Sequence, residues 1–315
     1  MKLAAAFFRL IRFPNLFFIA LTQSLFYYCI IVPSYQKWEI AVPLTLTHLL
    51  LLISASIAIA DSGYIINDYF DQNIDRVNKP EKLVVGSIIR RRWAILWHMC
   101  LSVAGIILSV AVSWFLRNPV PAFFNFFTVI LLWFYSTTFK KQLLIGNIVI
   151  SLLTGWVVLV LYVSVSPLAS GKPPAEVFKV LTRIYKFAAM YGGFAFIISL
   201  VREVVKDIED MEGDARYGCH TMPIVWGVPV SKMFVTVWLI VLIASLLILQ
   251  IYALQLGWWW SVIYSVVFVI IPCGIILKRL FPADSPARFH DISTMIKLVM
   301  LTGILSMLFI KWYSQ

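Results

Sequence analysis

The chain has 315 residues, of which 61% are hydrophobic and only 13% are charged. This composition excludes a soluble globular protein, in which about a quarter of the residues are charged. The net charge is +11, but no polar basic segment is long enough to form a nucleic-acid-binding domain, so we expect no nucleic-acid partner. The four cysteines have no C-x-x-C spacing and indicate neither a disulfide framework nor a zinc site.

Nine apolar runs are long enough to cross a bilayer, which takes roughly 20 residues of α-helix. They account for most of the chain and leave only short connections. We therefore predict an all-α polytopic membrane protein, a bundle of nine transmembrane helices that forms a single domain over residues 1–315. The predicted spans are 14–33, 45–66, 93–115, 122–138, 145–166, 186–205, 230–252, 259–277 and 294–312.

The basic residues predict an orientation, because lysine and arginine are enriched in cytoplasmic segments. With the N-terminus inside, the inner segments contain 19 of the 26 lysines and arginines. We therefore expect a protein of the cell inner membrane with a cytoplasmic N-terminus, in contact with anionic lipid head groups. Residues 1–13 are expected to lie at the inner interface as a lead-in to the first helix rather than to be a cleaved signal peptide.

An acidic stripe ends the second apolar run. Asp68, Asp71 and Asp75 follow a D-x-x-D-x-x-x-D spacing, which places them within about 60° of one another on an α-helix. Asp61 lies on the same face, inside the apolar run. It is interpreted either as a further ligand or as a hydrogen-bonded helix residue. Both readings place acid on one face of a membrane helix.

A second stripe repeats this spacing at the end of the sixth run, with Asp207, Asp210 and Asp214 on the same face as Glu203. Of the 15 acidic residues, 11 lie in segments 61–81 and 203–214. The repetition predicts a pseudo-repeat of four helices with a ninth helix added. With our orientation, both stripes end on the cytoplasmic side.

Carboxylates at a membrane helix end are commonly interfacial residues paired with nearby cations, but two stripes of identical spacing favour a binding site. Mg²⁺ typically takes one or two carboxylates and keeps positions for water and substrate phosphate. Two facing stripes predict Mg²⁺ ions that bind a diphosphate and stabilise it as it leaves an allylic prenyl chain. Nearby basic residues would neutralise the remaining phosphate charge: Arg76, Lys79, Lys82, Lys140 and Lys206.

Three segments together resemble the UbiA superfamily of intramembrane prenyltransferases. The first motif is Asn67-Asp68-x-x-Asp71-x-x-x-Asp75 followed by Asn78-x-Pro80 and Gly86. The second runs from Arg202-Glu203 through Lys206-Asp207 to Gly213-Asp214 and Thr221-x-Pro223. Between them lie Tyr135-Ser136, Lys140 and Gly146-Asn147. The nine-helix count extends the resemblance over the whole chain.

The resemblance implies Mg²⁺-dependent transfer of a prenyl group from a prenyl diphosphate donor to a lipophilic acceptor. The implied metal ligands are Asp68, Asp71, Asp75, Asp207, Asp210 and Asp214. The residues expected to take part in catalysis are Asp68, Asp71, Asp207, Lys140 and Tyr135. The residues expected to bind substrate are Asn67, Asp75, Arg76, Lys79, Lys82, Asn147, Lys206 and Asn15, of which Asn15 is alternatively a helix cap.

The acceptor has several candidates. The second motif is most similar to members that alkylate geranylgeranylglyceryl phosphate in ether-lipid synthesis, and the main alternative is a hydroxybenzoate- or naphthoate-type ring of quinone synthesis.

Two other classes of membrane protein fit the sequence less well. A CDP-alcohol phosphotransferase would need further aspartates soon after Ala215-Arg216, and the next is Asp284. A cation transporter would place its acids near the bilayer midplane, whereas both stripes end at one interface.

Overall fold

The computed structural model describes residues 10–78, 84–167 and 173–314. In chain order its helices are α1 (Phe13–Gln36), α2 (Leu46–Phe70), α3 (Gln72–Asn78), α4 (Arg91–Leu116), α5 (Val120–Thr137), α6 (Ile145–Val165), α7 (Ala175–Glu209), α8 (Met211–Arg216), α9 (Met222–Val225), α10 (Gly227–Gln255), α11 (Trp259–Leu280) and α12 (Pro286–Ser314). Within the described ranges, nine of them are long and apolar enough to cross a membrane, and only α3, α8 and α9 are not. The predicted nine-helix membrane fold is confirmed.

Two helices begin well before their predicted limits. Helix α7 begins at Ala175 rather than at 186, so residues 175–185 are also helical. Helix α12 begins at Pro286 rather than at 294. In both cases helical hydrogen bonding continues from the apolar span into the polar interface, where hydropathy gives no signal. Residues 1–9 of the expected interfacial lead-in lie outside the described residues.

Glycines let neighbouring membrane helices approach closely. A Cβ added to Gly105 of α4 would lie 2.6 Å from Ile59 Cγ1 of α2, and one on Gly155 of α6 would lie 3.1 Å from the Gly192 carbonyl oxygen of α7. Small residues at helix contacts are typical of membrane bundles, where packing rather than water exclusion drives association. These contacts fix α2 against α4 and α6 against α7.

Buried hydrogen bonds join the helices inside the apolar region. Asn125 Nδ2 donates to Ser109 Oγ at 2.8 Å, and Trp156 Nε1 donates to Asn125 Oδ1 at 2.9 Å. Gln23 Nε2 of α1 donates to Ser56 Oγ of α2 at 2.9 Å and to the Val157 carbonyl oxygen of α6 at 3.1 Å. With no water in the hydrocarbon, such polar groups need partners within the protein. They tie α1, α2, α4, α5 and α6 into one frame.

Two large apolar clusters fill the interior. One joins α1, α2, α6 and α7 in the half of the bundle that contains Leu52, Leu161 and Ile184. The other joins α7 to α10, α11 and α12 around Val201, Leu239 and Ile276. Helices α2, α5, α7 and α11 end at the same side at which α1, α4, α6, α10 and α12 begin. This side, called the acidic end below, therefore brings together the two acidic segments, 61–75 and 203–214, and the short helices that follow them.

Candidate active site

Each acidic stripe is interrupted at its second aspartate. Helix α2 ends at Phe70, and Asp71 has φ −86° and ψ −1° before α3 starts at Gln72. Helix α7 ends at Glu209, and Asp210 has φ −96° and ψ 4° before α8 starts. The predicted continuous helical face through all three aspartates is therefore wrong in both stripes. Aspartate is a weak helix former, because its short polar side chain competes with the backbone for hydrogen bonds.

The interruptions fall at the same motif position, which agrees with the predicted pseudo-repeat. In both halves the first aspartate is on the long membrane helix, the second lies at the interruption, and the third is on a short helix beyond it. The third aspartates, Asp75 and Asp214, therefore lie on short helices that are separate from the long membrane helices.

In the first segment, two aspartates already have cationic partners. Asp68 Oδ1 accepts a hydrogen bond of 2.7 Å from Arg12, whose guanidinium also lies over the Tyr64 ring at 5.1 Å. The buried carboxylate of Asp71 accepts one bond of 2.6 Å from Asn67 Nδ2 and another from Lys140 Nζ. This segment thus assembles charges from α2, from the residue before α1 and from the α5–α6 connection.

Lys140 lies in the α5–α6 connection, against which the start of α6 packs closely. Residues 139–141 form a single 3₁₀ turn, and Gly146 packs directly on it. A Cβ at Gly146 would lie 2.9 Å from both Lys140 Cα and the Phe139 carbonyl oxygen, so a larger residue would displace the turn. The Gly146-Asn147 pair places a cation and an amide at the acidic end.

In the second segment, Asp207 and Glu203 are half-buried on adjacent turns of α7. Asn147 Nδ2 of α6 donates to Asp207 Oδ2 at 2.8 Å. Glu203 Oε1 accepts a hydrogen bond of 2.9 Å from Arg202, and its other oxygen lies 3.9 Å from Lys206 Nζ. As in the first segment, one asparagine and one lysine accompany the acids.

Charged groups of the two segments influence each other across the bundle. Lys140 is bonded to Asp71 of the first segment and interacts electrostatically with Asp214 of the second. The Tyr135 hydroxyl is within electrostatic reach of Asp71, Lys140 and Asp207. The acids predicted from two distant parts of the sequence therefore belong to one site.

Asn78 also links the two segments through the backbone. Its Nδ2 donates to the Asp210 carbonyl oxygen at 2.9 Å, and its Oδ1 accepts from the Gly213 backbone N–H at 2.9 Å. A Cβ on Gly213 would lie 2.4 Å from Asn78 Oδ1. Both polar atoms of one side chain thus hold α8 against α3, and glycine is the residue that leaves room for them.

The carboxylates beyond the interruptions are short of positive charge. Burial raises the pKa of Asp75 to about 6, with a further rise from Asp71 that Lys140 partly opposes. Burial likewise raises the pKa of Asp214 to about 6, opposed by Lys140. Burial alone would lower the pKa of the Lys140 ammonium, but the Asp71 carboxylate raises it above its ordinary value. A divalent cation bound here would relieve the carboxylate repulsion.

The donor set fits Mg²⁺ in its usual phosphate-bridged form. All six predicted metal ligands supply hard carboxylate oxygens, and the buried Asn67 Oδ1 has no hydrogen-bond partner. Among the described residues, no group of three histidine, cysteine or acidic side chains lies close enough to hold a metal ion alone. Mg²⁺ that keeps water and phosphate ligands needs only one or two carboxylates, so this arrangement suits a metal that enters with its diphosphate.

The other predicted site residues lie at or near this end. Arg76 is exposed on α3, and Asn15 lies beside the Tyr64 phenol in the first turn of α1. Asp61 is buried deeper in α2, and its Oδ1 has no partner among the described side chains. Lys79 and Lys82 lie outside the described residues.

Sequence reasoning did not select Arg12 or Asn78 as site residues. Arg12 was assigned to the interfacial lead-in, although a cation two residues before Pro14, at the start of the first span, was a usable signal. Asn78 was part of the quoted Asn78-x-Pro80 motif, but nothing in the sequence indicates its contact with Gly213, which is 135 residues away.

Known proteins resemble this chain over nearly its whole length. The UbiA prenyltransferase family matches residues 17–301. The digeranylgeranylglyceryl phosphate synthase of Methanosphaera stadtmanae is 27% identical over 247 residues, which are 78% of this chain and 81% of the relative.

Solved structures share the fold. A structure of a digeranylgeranylglyceryl phosphate synthase has a TM-score of 0.60 and 25% identity, covering 98% of this chain and 99% of its own. A UbiA homolog from Archaeoglobus fulgidus bound to DMAPP and Mg²⁺ has a TM-score of 0.59 and 16% identity, covering 96% of this chain and 98% of its own. This chain belongs to the UbiA prenyltransferase family, and it is an integral membrane enzyme that transfers prenyl groups.

Proposed function

We propose that this enzyme transfers a geranylgeranyl group from geranylgeranyl diphosphate to geranylgeranylglyceryl phosphate, with Mg²⁺, in the synthesis of ether lipids. The observation that carries the donor half is the convergence of Asp71 and Asp214 on Lys140 at one end of an apolar bundle. The acceptor half is supported by the form of the second acidic motif and by the similarity to the digeranylgeranylglyceryl phosphate synthase of Methanosphaera stadtmanae.

The diphosphate is proposed to lie between the two acidic segments. Mg²⁺, when bound there, would supply the positive charge that stabilises the departing diphosphate. The residues proposed as its ligands are Asp68, Asp71, Asp75, Asp207, Asp210 and Asp214. The Asn67 and Asn147 amides orient the carboxylates of Asp71 and Asp207, to which they donate.

Basic residues are proposed to contact the phosphate oxygens that do not bind the metal. Lys140 lies in the α5–α6 connection and Lys206 in the second acidic segment, while Arg12 approaches from the start of α1. Each of them is paired with a carboxylate in the structure, so binding of Mg²⁺ and diphosphate would exchange these ion pairs for phosphate contacts. Such charge-assisted contacts are strongest in a partly buried site.

The hydrocarbon chains of the substrates are proposed to lie within the bundle. The carbon that bears the diphosphate would then lie at the acidic end. Tyr135 is placed beside Lys140, Asp71 and Asp207, where it would border the reacting carbon. We place the acidic end and the N-terminus on the cytoplasmic side, because 19 of the 26 lysines and arginines then lie inside.

A competition experiment tests the acceptor. Purified enzyme in lipid would receive Mg²⁺, geranylgeranyl diphosphate, and both geranylgeranylglyceryl phosphate and 4-hydroxybenzoate, with the products measured by mass spectrometry. We expect the geranylgeranyl mass on the glyceryl phosphate lipid. A prenylated ring would contradict the acceptor and move the enzyme to quinone synthesis, while leaving its family and chemistry as described.

A further inference from the structure

A large groove of about 1520 Å³ lies in the half of the bundle opposite to the acidic end. It is bordered by the first half of α7, the second half of α10, the start of α11 and the end of α12. Its lining residues toward the middle of the bundle include Gly193, Ile197 and Leu242. None of its lining residues belongs to the candidate active site, so the groove is a separate feature of the molecule.

The mouth of the groove is basic. Of its described lining residues four are cationic and none is acidic; the cations are Lys37, Lys179, Arg183 and Lys186. Arg183 donates to Ser314 Oγ at 2.8 Å, and Lys179 lies 5.1 Å from the centre of the Trp38 ring. Both of these partners are neutral, and none of the four cations forms a salt bridge with a described residue.

This charge is unexpected on its side of the membrane. With the proposed orientation only seven of the 26 lysines and arginines lie outside, and four of those seven border the groove. Positive residues are depleted on the outer side of most membrane proteins. Their concentration at one opening indicates a ligand with negative charge at that level.

The shape of the groove fits a lipid. From Arg183 to Ile197 the lining residues of α7 span about 21 Å along the helix axis, at about 1.5 Å per residue. One leaflet of hydrocarbon is about 15 Å thick, so the groove extends from the interface to about the midplane. Its volume exceeds the roughly 300–1,000 Å³ of ordinary small-molecule pockets.

We propose that this groove binds one anionic glycerophospholipid of the facing leaflet. The phosphate lies among Lys179, Arg183 and Lys186, and the hydrocarbon chains extend along α7 and α10 toward Gly193. Gly193 faces open space, because a Cβ added there meets no atom within 4 Å. Since α7 continues to Asp207, a lipid that fills the groove braces the helix that carries the second acidic segment.

Native mass spectrometry tests the proposal. The full-length enzyme would be taken from vesicles of equal phosphatidylglycerol and phosphatidylcholine, and the retained lipid measured. We expect one phosphatidylglycerol per chain, and a loss of about thirtyfold in its retention in Arg183→Ala/Lys186→Ala. Lys311→Ala, which removes an outer cation away from the groove, should retain it.

A second variant tests the apolar part. Gly193→Leu fills the open space and should expel the lipid, whereas Gly274→Leu on α11 should not. Gly274 also has no atom within 4 Å of an added Cβ but lies outside the groove. Melting temperatures would establish that each variant is folded.

Equal retention of phosphatidylcholine, or retention of phosphatidylglycerol in both groove variants, would overturn the proposal. So would equal loss of lipid in the two control variants, because the binding would then be that of unspecific boundary lipid. Prenyl transfer plays no part in this readout, so the result is independent of the acceptor.

Discussion

Lys140 is a cation that interacts with both acidic segments. It donates to Asp71, lies near Tyr135 and interacts with Asp214. Its neighbour Lys141 is exposed and has no ion pair among the described residues. The two adjacent lysines thus differ in environment. Comparing substitutions at the two positions therefore distinguishes a role of Lys140 in the site from a general effect of removing surface charge.

Replacing Lys140 should impair the departure of diphosphate. Lys140→Gln keeps a hydrogen-bond donor for Asp71 but removes the charge, and we expect turnover to fall by about a hundredfold, as for the loss of one charge-stabilising donor. Diphosphate release would be measured with saturating Mg²⁺. Lys141→Gln should behave as the unchanged protein, and equal loss in the two variants would contradict a specific role.

The raised pKa values of Asp75 and Asp214, about 6 for both, predict how Mg²⁺ dependence varies with pH. Mg²⁺ binds the ionised carboxylates, so protons compete with it below about pH 6. The Mg²⁺ concentration for half-maximal activity should rise about fivefold per displaced proton on going from pH 6 to pH 5. It should be flat above pH 7.

The same pKa values have the opposite consequence for the metal-free fold. A carboxyl whose pKa is raised on folding is ionised more readily in the unfolded chain, so its contribution to stability decreases as pH rises from about 4 to about 6. Without Mg²⁺ these two groups should therefore favour the folded state more at pH 5 than at pH 7.5. Asp75→Asn should weaken both pH effects, and an Mg²⁺ requirement that does not change with pH would contradict them.

At the scale of elements, the site depends on short helices that follow the membrane spans. Helix α3 and helix α8 are held together by Asn78, which bonds the Asp210 carbonyl and the Gly213 N–H. Because these helices carry Asp75 and Asp214, their mutual position decides whether both third aspartates can reach the same ligand.

Asn78→Ala and Gly213→Ala should disturb the same contact. The first removes both hydrogen bonds, and the second places a Cβ 2.4 Å from Asn78 Oδ1. We expect each to lower kcat/KM for the diphosphate donor by about tenfold, and the double variant to lose much less than the product of the two, since coupled residues are not additive. Independent, multiplicative effects would contradict the bridge, and Gly274→Ala serves as the helix-glycine control.

At the scale of the whole molecule, hydropathy predicted the number of membrane spans and the side of the bundle on which each one ends. The nine spans follow from run length, and the convergence of both acidic stripes at one end follows from the parity of the helices between them. The helix limits at Ala175 and Pro286 were not predictable in this way, because backbone hydrogen bonding continues where hydropathy falls.

The interior of the site needed three-dimensional contacts. The interruptions at Asp71 and Asp210 replace a regular helical face, and periodicity alone assumes that face. Arg12 meets Asp68 across 56 positions of sequence, and Asn78 meets Asp210 across 132. Such pairs depend on how whole helices pack. The motif residues Asp71, Lys140 and Asp207 could be selected from the sequence, because their residue types and spacing matched a known pattern.

Binding of a non-hydrolysable geranylgeranyl diphosphate analogue tests the central claim, that both acidic segments form one Mg²⁺–diphosphate site. Affinity would be measured with and without Mg²⁺ for the unchanged protein, Asp68→Ala and Asp207→Ala, each checked for folding by its melting temperature. We expect Mg²⁺ to strengthen binding in the unchanged protein, and either substitution to abolish that gain and diphosphate release. If either folded variant kept Mg²⁺-dependent binding and turnover, its segment would be structural and the shared site would be wrong.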